Sequence, residues 1–201
     1  MWFWARPILF FYNVKVVVTG EENRPKSGCL YLFNHSSHFD ILVLASCLPQ
    51  PARFGAKIEL FKIPLFGRAM LALGVLPITR SERDKVLQLY EDSIKRVHAG
   101  ESFILAAEGT RQPNPGVGSK FKGGPFIFAV SGQFPIVPVV IRGAAECLPK
   151  GDLLACTRHF RHDVTIKILP AISTLGLKDK EDREELKNQV QKIMTTAYLE
   201  G

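Results

Sequence analysis

His35 and Asp40 are two side chains able to do acid-base chemistry, and they lie five residues apart between two apolar runs. On one continuous helix, residues five apart are separated by about 140° around the axis, so these side chains could not meet. If His35 lies on a turn between a strand and a helix, and Asp40 lies in the first helical turn, the carboxylate can fold back to the imidazole. Asp40 would then hold one ring nitrogen as a hydrogen-bond donor and leave the other free to accept a proton. The spacing therefore predicts a histidine general base.

A second group of polar side chains, Glu108, Gly109, Thr110 and Arg111, directly follows another apolar run. The guanidinium of Arg111 is a planar fork suited to phosphate, and Gly109 lets backbone N–H groups approach an anion. Glu108 would repel phosphate, so we expect it to orient Arg111 or to accept a hydrogen bond from a substrate hydroxyl. The run predicts a phosphate site at the end of a strand, where ligands usually bind in α/β sheets.

Apolar runs of strand length alternate with longer helical patterns, which is an α/β signature. The strand-like runs are residues 14–19, 29–33, 75–78, 103–106, 134–141 and 164–169. Helical spacing marks residues 82–98, where Ser81 can cap the helix, and residues 180–198. Residues 107–124 are rich in glycine and proline and predict a loop.

The length of 201 residues predicts one domain over residues 1–201. The net charge of +7 favours a polyanionic partner, which could be nucleic acid, an anionic membrane or a phosphorylated substrate. Because the basic residues are spread along the chain without an RNA-binding motif, we expect no nucleic-acid partner. The four cysteines show no metal-binding or disulfide spacing, so we expect a reducing compartment and no metal.

Residues 1–12 form an apolar, aromatic segment that is too short to cross a bilayer, since a spanning helix needs about 20 residues. Aromatic side chains beside an arginine suit the headgroup layer, but a first helix packed on the core of the domain fits the composition equally well. We expect membrane association at the cytoplasmic face. The side chains expected to contact lipid are Trp2, Phe3, Trp4, Phe10 and Phe11.

Four blocks of this sequence resemble the motifs of the phospholipid-synthesis acyltransferases. The first and third motifs are matched by Asn34 and His35 with Asp40, and by residues 108–111. Residues 56–67 followed by 74–80 resemble the second motif, and residues 136–141 resemble the fourth. The similarity spans residues 13–170 in order, although alanines at positions 106 and 107 replace a common Phe-Pro pair.

This resemblance implies a glycerolipid acyltransferase fold, with a mixed central sheet flanked by helices. It implies transfer of a fatty acyl group from acyl-CoA or acyl carrier protein to a hydroxyl of 1-acyl-glycerol-3-phosphate, without a cofactor, at a phospholipid membrane surface. Phosphatidic acid would be the product. His35 and Asp40 would be catalytic, Arg80 and Arg111 would bind the acceptor phosphate, and Lys122 would add a second cation.

Several alternatives stay open from the sequence. His38 lies between His35 and Asp40 and is another candidate base. A zinc hydrolase could use these three side chains, but their spacing fits no His-Glu-x-x-His pattern. The acceptor could be glycerol-3-phosphate or another lyso-lipid. A protein of a different class, one that binds membrane lipid without catalysis, could share the fold.

Overall fold

A seven-stranded β-sheet runs through the computed structural model, which describes residues 5–48, 51–79, 83–148 and 161–200. The strands are β1 (Val14–Thr19), β2 (Leu30–Phe33), β3 (Ala52–Lys57), β4 (Leu76–Ile78), β5 (Ser102–Ala106), β6 (Ile136–Arg142) and β7 (His162–Ile168). Their order across the sheet is β1-β7-β6-β2-β5-β3-β4.

The sheet is mixed because one neighbouring pair is antiparallel. Strands β6, β2, β5, β3 and β4 are parallel to one another, whereas β7 is antiparallel to β6 and parallel to β1. The carboxyl ends of the five parallel strands therefore lie at the same end of the sheet as the amino ends of β1 and β7. We call this the upper end of the sheet.

Helices cover both faces of the sheet. They are α1 (Ala5–Phe11), α2 (Phe39–Cys47), α3 (Phe66–Ala72), α4 (Arg83–His98), α5 (Gly124–Gly132), α6 (Ala144–Cys147) and α7 (Lys180–Leu199), with 3-10 turns at Glu21–Asn23 and Ile58–Lys62. In β2, Tyr31 and Phe33 pack on the face covered by α1, α2 and α6, while Leu30 and Leu32 pack on the face covered by α4, α5 and α7. Successive strand residues point to opposite faces, so both layers of core depend on this one strand.

The predicted α/β fold with a mixed sheet and flanking helices is confirmed. The predicted helices correspond to α4 and α7, although Ser81 and Glu82 lie outside the described residues. The predicted loop is confirmed as well, since α5 begins at Gly124. Strand β3 was not predicted: with Arg53, Gly55 and Lys57 in six residues it lacks β-branched side chains, and its pairing with β4 and β5 makes it a strand.

The first described helix, α1, packs on the core through Ala5 and Leu9. Phe10 and Phe11 at its end are 87% and 81% exposed, so this segment combines a packed face with an aromatic surface. Trp2, Phe3 and Trp4 lie outside the described residues. Within the described residues, we find no helix that has both the length and the apolar character needed to span a bilayer.

Candidate active site

His35 lies at the upper end of the sheet, on the connection between β2 and α2. Its Nδ1 atom is 2.8 Å from Oδ2 of Asp40, which lies in the first turn of α2. The predicted fold-back of the carboxylate onto the imidazole is therefore confirmed. With Nδ1–H donating to Asp40, the Nε2 atom is the ring nitrogen that can accept a proton.

The carboxylate of Asp40 is fully buried and organises the whole connection. Its Oδ2 atom also accepts hydrogen bonds from the backbone N–H groups of Ser36 and Ser37, each at 2.8 Å. Three donors on one oxygen stabilise the ionised carboxylate and fix the turn that carries the imidazole. Asp40 thus sets both the position and the orientation of His35.

The loop at residues 107–123 holds His35 through its peptide groups. The N–H of His35 donates to Oε2 of Glu108 at 3.1 Å, and the carbonyl oxygen of His35 accepts from the N–H of Gln112 at 2.7 Å. The two segments predicted from separate parts of the sequence are therefore in direct contact.

Glu108 is buried, and its other carboxylate oxygen accepts a hydrogen bond from the N–H of Gly118 at 3.0 Å. Its described hydrogen bonds thus tie the loop to the His35 turn. An added Cβ at Gly118 would lie 2.6 Å from the Glu108 side chain, so a glycine is needed at this approach. The expected action of Glu108 on Arg111 or on a substrate hydroxyl stays a prediction.

Burial raises the pKa of the Glu108 carboxyl above its usual 4.5, and the backbone N–H donors, including those of Gly118 and His35, oppose this only in part. The folded protein therefore holds this proton more tightly than the unfolded chain does, so ionisation of Glu108 costs folding free energy. We expect the unfolding free energy of the wild type, relative to Glu108→Gln, to fall as the pH rises from 4.5 through the raised pKa.

Urea unfolding of both proteins over a pH series measures this difference. Glu91→Gln, at an exposed position on α4, supplies a matched control that removes a surface carboxyl instead of a buried one. If the unfolding free energy of the wild type rose with pH relative to that of Glu108→Gln, this would contradict a raised pKa for the buried carboxyl.

The turn after Glu108 brings backbone and cations together. Gly109 has a φ of 66°, and an added Cβ there would lie 2.9 Å from Cγ of Lys122. The N–H of Lys122 donates to the carbonyl of Ala107 at 2.9 Å, which holds this exposed lysine beside the turn. The structure therefore places Lys122 next to Gly109, which precedes the exposed Thr110 in the chain.

Arg111 and His38 are close enough for their charges to interact. Burial lowers the pKa of His38, and the positive charges of Arg111 and His35 lower it further. The ring centroids of His35 and His38 are 6.5 Å apart. His38 thus borders the candidate base without a described hydrogen bond to it. The position predicted for a second arginine, Arg80, lies outside the described residues.

Asn34, which the sequence analysis placed in the first motif without a role, is a positioning residue. Its buried side chain donates to the carbonyl oxygens of Ile141 at 2.9 Å and Gly116 at 3.1 Å, and it accepts from the N–H of Ile141 at 2.7 Å. It therefore ties together the upper ends of β2 and β6 and the 107–123 loop. The sequence signal for this role was the amide side chain directly after a buried strand.

An apolar cavity of about 470 Å³ lies beside the turn at Gly109. Gly109 and Lys122 line it together with the strand residues Ala56 and Leu105, and most of the other lining residues are apolar. The other lining residues include Ile78, Val86, Leu87, Tyr90, Pro125 and Ile127. Its size is typical of pockets for small molecules.

The fold and the site are those of an α/β protein with a carboxylate-oriented histidine, a cationic turn and an apolar cavity at one end of its sheet. A family model described as Acyltransferase matches residues 15–142. The chain belongs to this acyltransferase family.

Named relatives and a solved structure agree with this assignment. The chloroplastic 1-acyl-sn-glycerol-3-phosphate acyltransferase BAT2 of Brassica napus is 34% identical over 152 residues, which are 74% of this chain and 43% of that protein. The human 1-acyl-sn-glycerol-3-phosphate acyltransferase beta is 30% identical over 203 residues, covering 98% of this chain and 69% of that protein. The chain thus spans less than half the length of the plant relative.

The crystal structure of the 1-acyl-sn-glycerophosphate acyltransferase PlsC from Thermotoga maritima superimposes with a TM-score of 0.79 at 28% identity. The match covers 98% of this chain and 76% of that chain. The predicted glycerolipid acyltransferase fold is therefore confirmed.

Proposed function

We propose that this chain transfers a fatty acyl group from acyl-CoA or acyl carrier protein to the free hydroxyl of 1-acyl-glycerol-3-phosphate, which gives phosphatidic acid. The contact that carries the proposal is the 2.8 Å hydrogen bond between Nδ1 of His35 and Asp40, because it leaves Nε2 ready to accept a proton. The names of the plant and human relatives, both 1-acyl-sn-glycerol-3-phosphate acyltransferases, support the acceptor.

The reaction needs a base and an anion site more than a nucleophile on the protein. As Nε2 of His35 takes the proton of the acceptor hydroxyl, the hydroxyl oxygen attacks the thioester carbonyl. The C–O bond forms, the C–S bond breaks, and the proton passes from the imidazole to the leaving thiolate. Because the thioester is already activated, a covalent acyl-enzyme is unnecessary.

The acceptor phosphate would bind at the cationic turn. Exposed Lys122 lies beside Gly109, whose positive φ turns the backbone there, and Arg111 follows two residues later. Arg80 and Thr110 complete the set of residues that we assign to the acceptor. This arrangement supports phosphate binding next to the histidine, because Glu108 directly precedes Gly109 and its carboxylate accepts a hydrogen bond from the N–H of His35.

The fatty acyl chain would occupy the apolar cavity. Gly109 and Lys122 line this cavity, and Gly109 directly follows Glu108, whose carboxylate contacts the backbone of His35. An acyl chain held there would direct its thioester toward this turn.

The direct test is acyl transfer in detergent from acyl-CoA, and separately from acyl carrier protein, to 1-acyl-glycerol-3-phosphate. Phosphatidic acid formed from either donor would support the proposal and identify the donor. Product formed only with glycerol-3-phosphate or another lyso-lipid would reassign the acceptor. Lipid binding without transfer to any acceptor would favour the non-catalytic class.

A narrower cavity should change the preferred acyl chain. Ala56 lines the cavity, so Ala56→Leu should lower kcat/KM for long-chain donors by about tenfold relative to short-chain donors, because a few methylenes lose their apolar surroundings. The measurement is kcat/KM across a series of acyl-CoA lengths. Exposed Ala99 at the end of α4 does not line the cavity, so Ala99→Leu should leave the ranking unchanged. An unchanged ranking for Ala56→Leu would place the acyl chain elsewhere.

We also propose a phospholipid membrane surface, at its cytoplasmic face, as the site of action. Phe10 and Phe11 at the exposed end of α1 support lipid contact, and Tyr12 next to them stacks edge-on against Phe39 at a ring distance of 5.6 Å. Since Phe39 precedes Asp40 in α2, this aromatic surface borders the candidate active site.

A further inference from the structure

Residues 57–73, which run from the last residue of β3 to the residue that follows α3, expose several apolar side chains. Leu65 is 80% exposed, Leu71 is 57% exposed and Phe66 is 51% exposed, and Leu60 and Ile63 are exposed as well. Within the described residues, α3 packs mainly on the 3-10 turn Ile58–Lys62, and Gly67 and Met70 are its buried positions. The outer side of this segment, which we call the 57–73 surface, is therefore apolar and open to solvent.

The backbone of this segment presents Leu65 outward at an energetic cost. Leu65 has φ 62° and ψ −50°, and the N–H of Phe66 donates to the carbonyl of Pro64 at 2.7 Å. This is a γ-turn with positive φ, a rare and strained conformation for a leucine. An apolar side chain at the tip of a strained turn gains nothing from water, which points to a partner that covers it.

The charges around the apolar side chains favour an anionic partner. Lys62 and Arg68 are exposed within the 57–73 surface. Lys57 is exposed as well, and its Nζ atom lies 3.5 Å from Oε1 of Glu59, the one acidic residue of this segment. Anionic headgroups would neutralise these cations while the apolar side chains enter the layer below. A second copy of the chain would instead bring the same cations to the interface.

The topology places this surface beside the candidate active site. The segment begins at the carboxyl end of β3, so it leaves the sheet at its upper end, and Lys57 also lines the cavity. The end of α1, with Phe10 and Phe11, leads into the amino end of β1, which lies at the same upper end. Strands β1 and β3–β4 lie on opposite sides of β2, and His35 follows β2 at its upper end.

We propose that the 57–73 surface is a second membrane-contact surface, which docks on anionic phospholipid together with α1 so that the bilayer faces His35 between them. This extends the proposed function, because an acceptor lipid would then reach the base directly from the membrane. The docking itself is independent of turnover and can be measured without an acyl donor.

Vesicle co-sedimentation of the full chain tests the proposal, with vesicles of phosphatidylcholine mixed with phosphatidylglycerol. The triple variant Ile63→Ser, Leu65→Gly, Phe66→Ser should lower the partition coefficient by about tenfold or more. Leu65→Gly alone should lower it severalfold while relieving the strained turn, so that loss of binding accompanies equal or higher stability. Phe10→Ser with Phe11→Ser should weaken binding as well.

Leu175 provides the matched control. It is 74% exposed, and the adjacent Gly176 donates its N–H to Gln133 near the amino end of β6, which is the opposite end of the sheet. Leu175→Gly should therefore leave vesicle binding unchanged. Equal binding of the triple variant and the wild type would overturn the proposal. So would a wild-type dimer that the triple variant dissociates, because a second copy would then cover this surface.

A single tryptophan at position 65 gives a second readout. In a background with Trp2→Phe and Trp4→Phe, which removes both native tryptophans, Leu65→Trp fluorescence should be quenched by brominated lipid in the bilayer. Leu175→Trp should not be quenched. Quenching at position 65 in a chain that transfers no acyl group would leave the docking standing and refute the proposed function. Acyl transfer in detergent without quenching would refute the docking alone.

Discussion

His35→Ala should lower kcat for the proposed acyl transfer by about 10²- to 10⁴-fold, the usual contribution of a general base. The reason is geometric: Nδ1 of His35 is occupied by Asp40, so Nε2 is the atom presented for proton transfer. The fold should survive the change. Asp40 keeps its two backbone donors from Ser36 and Ser37, and the imidazole is partly exposed.

The neighbouring histidine makes this prediction selective. His38→Ala should retain acyl transfer within a few-fold, because the structure describes no hydrogen bond that orients its ring toward a carboxylate. Initial rates with saturating donor and acceptor, together with thermal unfolding of both variants, measure the effect. A large loss in His38→Ala with activity retained in His35→Ala would assign the base to His38 instead.

The strands that pair in the middle of the sheet were predictable because burial on both faces leaves a clear signature. The four residues of β2 are all buried, and such a continuous apolar run can only be a core element. Strand β3 carries no such signature. Its polar and glycine residues become a strand through long-range pairing with β5 on one side and β4 on the other, which a local pattern does not contain.

In the candidate site, likewise, only the contact between residues close in the sequence was predictable. The His35 and Asp40 contact follows from their spacing once a turn separates the strand from the helix. The hydrogen bonds of Glu108 do not follow, because Gly118 reaches the carboxylate only after the loop folds back ten residues along the chain. The role of Asn34 likewise depends on Ile141, which is 107 residues away.

Two replacements of Asp40 should separate its structural role from its electrostatic one. In Asp40→Ala, the buried N–H groups of Ser36 and Ser37 lose their acceptor, which costs about 1–3 kcal/mol for each group. We expect the unfolding free energy to fall by about 2–6 kcal/mol. Acyl transfer should fall by about 10²- to 10³-fold as the imidazole loses its orientation. Urea unfolding and initial rates measure the two effects.

Asp40→Asn should be milder in both respects. All the described hydrogen bonds of the Asp40 side chain go to Oδ2, so an amide oxygen placed there can accept the same three. The tautomer of His35 is then preserved, and only the negative charge beside the developing imidazolium is lost. A charge-assisted hydrogen bond contributes about 1.5–3 kcal/mol, so kcat should fall by about 10- to 100-fold. The amide NH₂ takes the place of Oδ1, which is buried without a described hydrogen-bond partner, so the unfolding free energy should fall by about 1–3 kcal/mol.

Comparison of the two Asp40 variants therefore decides what the carboxylate does. An asparagine variant as inactive as the alanine variant, yet stably folded, would mean that the amide NH₂ has turned toward the ring and reversed its tautomer. Activity near the wild-type level would mean that the charge of Asp40 is dispensable for the proposed transfer. A kcat for Asp40→Asn between those of the wild type and Asp40→Ala is expected if orientation and charge both act through the 2.8 Å contact of His35 with Asp40.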